Sequence, residues 1–111
     1  MGEPENSPIG VVLYSPFAAQ DLAEIHNFTT LIWGLEQAER YSDFLQAAAN
    51  KALAHSNATR RVEDHPVARA IFAKWPKAKY GHFVVYRPTD YGIYVLRILH
   101  SAMNISEHLS D

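Results

Sequence analysis

Arg97 and His100 stand three residues apart in the run IYVLRILHSAMN, Ile93 to Asn104. With Arg87 they offer the side-chain types that cleave RNA through its own 2′-hydroxyl. Histidine titrates near neutrality and serves as acid or base, and guanidinium groups hold the phosphate. Lys74, Lys77 and Lys79 add cations upstream. The spacing argues against a shared site. On an ideal strand, residues three apart point to opposite faces, so Arg97 and His100 meet only if a bulge or the strand end at His100 breaks the alternation. No carboxylate pair is at hand, because Asp90 falls in a turn. No catalytic residue is therefore expected, and Arg97 becomes a structural question. By alternation it shares a strand face with Ile93, Val95 and Leu99, where an unpaired charge is costly. Either a helix carboxylate such as Asp21 or Glu24, or a chain-end carbonyl, satisfies it, or a binding partner does.

Other chemistries find little support. The six histidines show no metal-ligand spacing, so no metal and no cofactor is expected. The absence of cysteine removes disulfides, thiolate zinc sites and a cysteine nucleophile, and fits a reducing compartment. There is no glycine-rich phosphate loop and no nucleophile elbow. No apolar run approaches the roughly 18 residues that span a bilayer. The opening MGEPENSPIG is acidic and proline-bearing, unlike a signal peptide. A cytoplasmic location with no membrane contact is expected. Charge is unevenly spread: residues 1–56 carry two Lys/Arg against seven Asp/Glu, and residues 57–111 eight against five. The basic second half suits an acidic partner, whether nucleic acid or peptide, and equally suits two solvated surfaces.

The 111 residues suit one domain, expected over 9–111 behind a loose tail at 1–8. IGVVLY, Ile9 to Tyr14, reads as a strand. Ser15 and Pro16 open a helix as N-cap and first helical residue. Leu22, Ile25, Thr29 and Ile32, with Phe28, Leu31 and Leu35, give that helix a wide apolar stripe. Gly34 ends it. Leu35 to Leu53 keeps helical spacing, with Ala47, Ala48, Ala49 and Ala52 allowing a close neighbour. Trp33 is expected to anchor the core, and Tyr41 to sit in it with its hydroxyl at the rim. Residues 55–69 read as irregular. AIFAKW, GHFVVYR and IYVLRILH read as three strands joined by turns at Pro76–Lys79 and PTDYG. The expected class is α+β, in the order β-α-α-β-β-β, an antiparallel sheet packed on a helical hairpin with its other face left for a partner.

Two separated stretches carry a family resemblance. DLAEIHNFTTLIWGLEQAERYSDFL resembles the helical hairpin of ParE toxins, in the RelE/ParE superfamily of type II toxin–antitoxin systems, through Asp21, Leu22, Ile25, Trp33, Gly34, Gln37, Ala38 and Tyr41. GHFVVYRPTDYGIYVLRILHSAMN resembles the family's last hairpin through Tyr86, Arg87, Arg97, Leu99 and His100. Thr59 to Lys79 departs from the pattern. The resemblance implies a toxin that poisons DNA gyrase without chemistry of its own. It also implies a ParD-like ribbon-helix-helix antitoxin that binds it as a hetero-oligomer, with DNA met only through antitoxin or gyrase. A ribosome-dependent mRNA endonuclease of RelE type, using Arg87, Arg97 and His100, is the alternative; a non-toxic antitoxin-binding module is another. The candidates for antitoxin or target contact are Phe28, Leu31, Ile32, Lys74, Lys77, Lys79, Arg87, Arg97 and Met103. For Phe28, Leu31 and Ile32 the other reading is plain core.

Overall fold

The computed structural model describes residues 10–109, so the expected tail and Ile9 lie outside the described residues. Strand β1 is Val11–Tyr14. Ser15 then caps helix α1, Pro16–Trp33, with its Oγ accepting the Ala18 N–H at 3.0 Å. Gly34, at φ +96°, ends α1 and donates its N–H to the Thr30 carbonyl. It is the sole residue before helix α2, Leu35–Ala54. A side chain at that positive φ is disfavoured, so glycine makes this tight reversal possible.

The sheet has five strands in the order β1-β5-β4-β3-β2, with β2 at Arg60–Arg61, β3 at Arg69–Ala73, β4 at His82–Thr89 and β5 at Gly92–His100. The meander β3–β4–β5 is antiparallel. β1 adds to β5 in parallel, which makes the sheet mixed. That approach is close: a Cβ at Gly92, itself at φ +146°, would run into the Val11 carbonyl oxygen. The segment expected to be irregular contributes β2, whose two residues pair with Ala70 and Arg69. β4 runs on through Pro88 and Thr89, leaving only Asp90 and Tyr91 for the turn. Pro88 is tolerated because pairing with β3 has already ended at Tyr86.

Each sheet face has its own apolar cluster. On one, Ala18, Leu45, Ala49 and Ala52 of the hairpin pack against Ile71, Val84, Tyr86, Ile93, Val95 and Ile98. Small residues let the helix backbones come close, as the alanine pattern implies. The other face is not left open. Val62, Ala68 and Ile105 cover Ala70, Val85 and Leu99, with Leu109 packed alongside. The loop before β3 and the segment after β5 therefore occupy much of the surface expected to be free. Phe72 stays about half exposed there.

One irregularity corrects the face assigned to Arg97. Val95 pairs with Tyr86 and Arg97 with Val85, so Leu96 is an extra residue bulged out of β5. Past it the alternation is reversed. Leu99 joins the second cluster, away from Ile93 and Val95, and Arg97 follows the same parity. β1 also stops here, at Tyr14 opposite Val95. The open edge of β5 is then taken over by α1. Ser15 donates its N–H to the Val95 carbonyl at 2.9 Å and its Oγ–H to the Leu96 carbonyl at 2.8 Å. Asp21 accepts the Ile98 N–H at 2.8 Å. The same carboxylate takes Arg97 in a two-point grip, Nε at 2.8 Å and Nη2 at 2.9 Å. Arg97 Nη1 reaches the His108 carbonyl at 3.2 Å. The arginine thus binds both structural partners that the sequence suggested, a helix carboxylate and a chain-end carbonyl.

Asp21 is buried, so its loss strands a guanidinium and a backbone N–H together. Asp21→Ala should cost about 3 kcal/mol in urea unfolding, and Asp21→Asn, which keeps an acceptor for Ile98, about half of that. Glu36→Ala breaks only the exposed Glu36–Arg40 pair and should shift stability by less than about 0.5 kcal/mol.

Candidate functional site

Beyond Thr29 the first helix has little left to cover. Thr29 itself is buried with its hydroxyl donated to the Ile25 carbonyl at 2.7 Å, the last buried residue of α1. The apolar stripe nevertheless continues. Phe28 is 65% exposed, Leu31 84% and Trp33 69%, with Ile32 and Leu35 also exposed. Trp33 is therefore not the core anchor expected of it. The hairpin junction lies where little else packs, and Gly34 has nothing near its would-be Cβ.

A groove of about 830 Å³ lies between this part of the hairpin and the β3–β4 connection. Asp21, Glu24, Ile25, Phe28 and Trp33 of α1 form one wall. Trp75, Lys77, Lys79 and Tyr80 form the other, with Tyr41, His82, Ile98, His100 and Met103 between them. Trp75 belongs to no strand, since β3 ends at Ala73; it lies edge-on to Tyr41 at 4.9 Å and tilted against Phe44 at 6.0 Å. Lys74 folds back over its own turn, with Nζ 2.9 Å from the Ala78 carbonyl. Of the sequence candidates, Phe28, Lys77, Lys79, Arg97 and Met103 line the groove. Leu31 and Ile32 lie beside it on the exposed junction, Lys74 is spent on loop carbonyls, and Arg87 stacks over Tyr94 at 5.1 Å elsewhere. Trp75, Tyr80 and His82 were not singled out from the sequence. Aromatics bracketing the Pro76–Lys79 turn were the available signal.

The three residues of the nuclease alternative do not converge. His100 pairs with His82, whereas Arg87 lies five residues further along β4, roughly 17 Å at strand spacing. The bulge precedes Arg97, so it leaves Arg97 and His100 on opposite faces, as the spacing implied. His100 Nδ1 accepts the Ala102 N–H at 3.0 Å, and its ring meets that of His82 edge-on at 5.5 Å. His82 Nδ1 lies 2.6 Å from the Tyr41 hydroxyl. Burial pushes Tyr41 up to about 12, so its hydroxyl keeps its proton. Burial, then the facing His100, pull His82 down to about 4, against a smaller opposing pull from Asp21. The groove floor is thus a neutral hydrogen-bonded pair at physiological pH. Among the described residues no three His, Asp or Glu side chains gather as metal ligands, and no helix is long and apolar enough to cross a membrane.

A histidine whose folded pKa lies below its unfolded value is protonated first in the unfolded chain, so stability falls as pH drops through that window. Between pH 6.5 and 4 the protein should lose about 2 kcal/mol through His82. His82→Gln should flatten the pH dependence of urea unfolding across this window.

The family model described as ParE toxin of type II toxin-antitoxin system, parDE, matches residues 12–105. Toxin ParE1 of Mycobacterium tuberculosis (strain CDC 1551 / Oshkosh) is 35% identical over 99 residues, covering 87% of this chain and 95% of that protein. Toxin ParE1 of Caulobacter vibrioides is 28% identical over 92 residues, covering 83% and 90%. In structure, a chain of the chromosomal ParDE TA system from P. aeruginosa superposes with a TM-score of 0.66 at 20% identity, over 82% of this chain and 95% of that one. Helical hairpin, sheet and family match agree: the chain belongs to the ParE toxins of type II toxin–antitoxin systems.

Proposed function

We propose that this ParE-type toxin acts by binding, holding DNA gyrase on its cleaved-DNA intermediate, and that a ParD-like antitoxin neutralises it by laying an amphipathic helix into the groove between the hairpin and the β3–β4 turn. The observation that carries the second part is the uncovered apolar lining. Phe28, Trp33 and Met103 are large and exposed at the groove, and Leu31 and Ile32 extend the patch around the junction. A surface of this kind fits helix-in-groove recognition, where residues one helical turn apart anchor the partner. The solved P. aeruginosa neighbour comes from a ParDE system, which supports an antitoxin as the occupant.

Action without covalent chemistry is supported by how the polar groups are spent. Arg97 is engaged by Asp21 and the His108 carbonyl, and Arg87 and His100 stand at opposite ends of the β4–β5 ladder. Exposed Arg87, beside the β4–β5 turn, lies outside the groove and is left for the target.

Purified toxin at excess over gyrase should inhibit supercoiling and accumulate cleaved DNA; no inhibition and no trapped breaks would sink the gyrase part. Codon-positioned cuts in mapped mRNA ends would move the protein to the endonuclease class, and normal growth on expression without antitoxin to the non-toxic one. For the antitoxin part, the toxin should copurify with a short ribbon-helix-helix protein encoded beside it. Phe28→Asp and Trp33→Ala should each weaken that complex by about 2 kcal/mol, roughly thirtyfold, read by calorimetry. An unchanged affinity in both would remove the groove from the interface.

A further inference from the structure

The two long walls of the groove differ in charge. On the α1 wall Asp21 is consumed by Arg97 and Ile98, leaving Glu24, whose carboxylate accepts from Gln20 Nε2 at 3.0 Å. On the opposite wall Lys77 and Lys79 are both exposed, and neither has a carboxylate partner among the described residues. Lys79 Nζ lies only over the Tyr80 ring, 5.4 Å from its centroid. This wall is also stiff. Trp75 is wedged against Tyr41 and Phe44, the Ala78 N–H donates to the Trp75 carbonyl at 3.0 Å, and Lys74 Nζ clips the turn's carbonyls from inside. A short turn tied at three points roots its two exposed lysines at fixed backbone positions on this wall. Two cations without carboxylate partners on this wall, beside an uncharged floor and an exposed apolar lining, favour carboxylates on the facing edge of whatever lies there, and a like charge is penalised.

We propose that Lys77 and Lys79 are specificity residues of the groove: they select an amphipathic helix carrying carboxylates along its turn-facing edge and reject one carrying lysines there. This rests on the reading that the groove holds an antitoxin helix. It places partner choice on the β3–β4 turn, within the stretch whose sequence departs from the family pattern, while the aromatic lining supplies affinity common to any amphipathic helix. Exposed pairs of this sort contribute modestly to affinity, so their effect is discrimination.

The probe is a displayed library of 20-residue helices with leucine fixed at one apolar stripe and Glu, Gln or Lys varied at its flanks. It is panned against the wild-type chain, Lys77→Glu/Lys79→Glu and Lys77→Gln/Lys79→Gln. The wild type should enrich Glu on one flank, the Glu variant should switch that flank to Lys, and the Gln variant should lose the preference. A wild-type-selected peptide should bind the Glu variant roughly tenfold more weakly, with that gap narrowing in 0.5 M salt. Helices retained without a flank preference, or with one that the variants leave unchanged, overturn this proposal and leave the groove reading standing. Retention of no helix by any of the three proteins overturns both. The substituted side chains are exposed, and matched urea midpoints would confirm that folding is not what changed.

Discussion

Backbone groups on a buried strand edge have to find partners, and β5 loses its neighbour halfway along. β1 stops opposite Val95, while β5 continues to His100. Ser15 and Asp21 close the gap from the first two turns of α1, one taking the carbonyl freed by the bulge, the other the next inward N–H. Ser15 performs two tasks with one hydroxyl, accepting as helix cap and donating to the sheet. Asp21 likewise serves both backbone and guanidinium. Three contacts across some eighty residues of sequence therefore fix where α1 starts and how it lies on the sheet. Through Arg97 the same joint reaches the His108 carbonyl and holds the covering segment of the second cluster.

The groove is a consequence of that placement. α1 is tied down near its N-terminus, and its contacts with the sheet are used up by Thr29. The remaining turn, with the one-residue reversal at Gly34, carries large apolar side chains past the surface that would bury them. Ala18, Ala49 and Ala52 pack with Leu45 between hairpin and sheet, Leu22 and Ile25 beside them, and the bulky residues around and past Thr29 are left for the outside. The opposite wall gets its shape from Trp75, which leaves the sheet before Pro76 and inserts its ring beside Tyr41. Residues that resemble ordinary core in composition thus end up lining a cleft.

Much of this was legible in the sequence where local chemistry decides. Ser15-Pro16 and Gly34 marked both ends of α1, and the three meander strands followed from alternation and turn residues. The parity of Arg97 against His100 separated them correctly, because no irregularity falls between the two. What was hidden depends on long-range geometry. Val11 to Tyr14 reads as a strand whichever way it pairs, so its parallel addition to β5 has no local sign. The bulge at Leu96 looks like an ordinary apolar residue in a strand. A helical stripe says which residues share a face, but not where the sheet beneath runs out, so Trp33 read as core and Phe28, Leu31 and Ile32 could be read either way. The covering of the second face by Val62, Ala68 and Ile105 was equally invisible in a stretch that is mostly polar.

The extra residue in β5 carries one more implication, for how the chain tolerates change. Were Leu96 paired in regular alternation instead of bulged, Arg97 would take the side of Ile93 and Val95 and point into the cluster under the helices, while Ile98 would turn outward. The leucine's own role is modest, a half-buried contact with the second cluster that other apolar side chains fill nearly as well. Position 96 therefore matters through the bulge it forms and the carbonyl it offers Ser15 more than through its side chain. Among related chains it should drift readily in identity, and a one-residue gap there would remove the bulge while leaving Arg97 and the residues after it opposite their present partners.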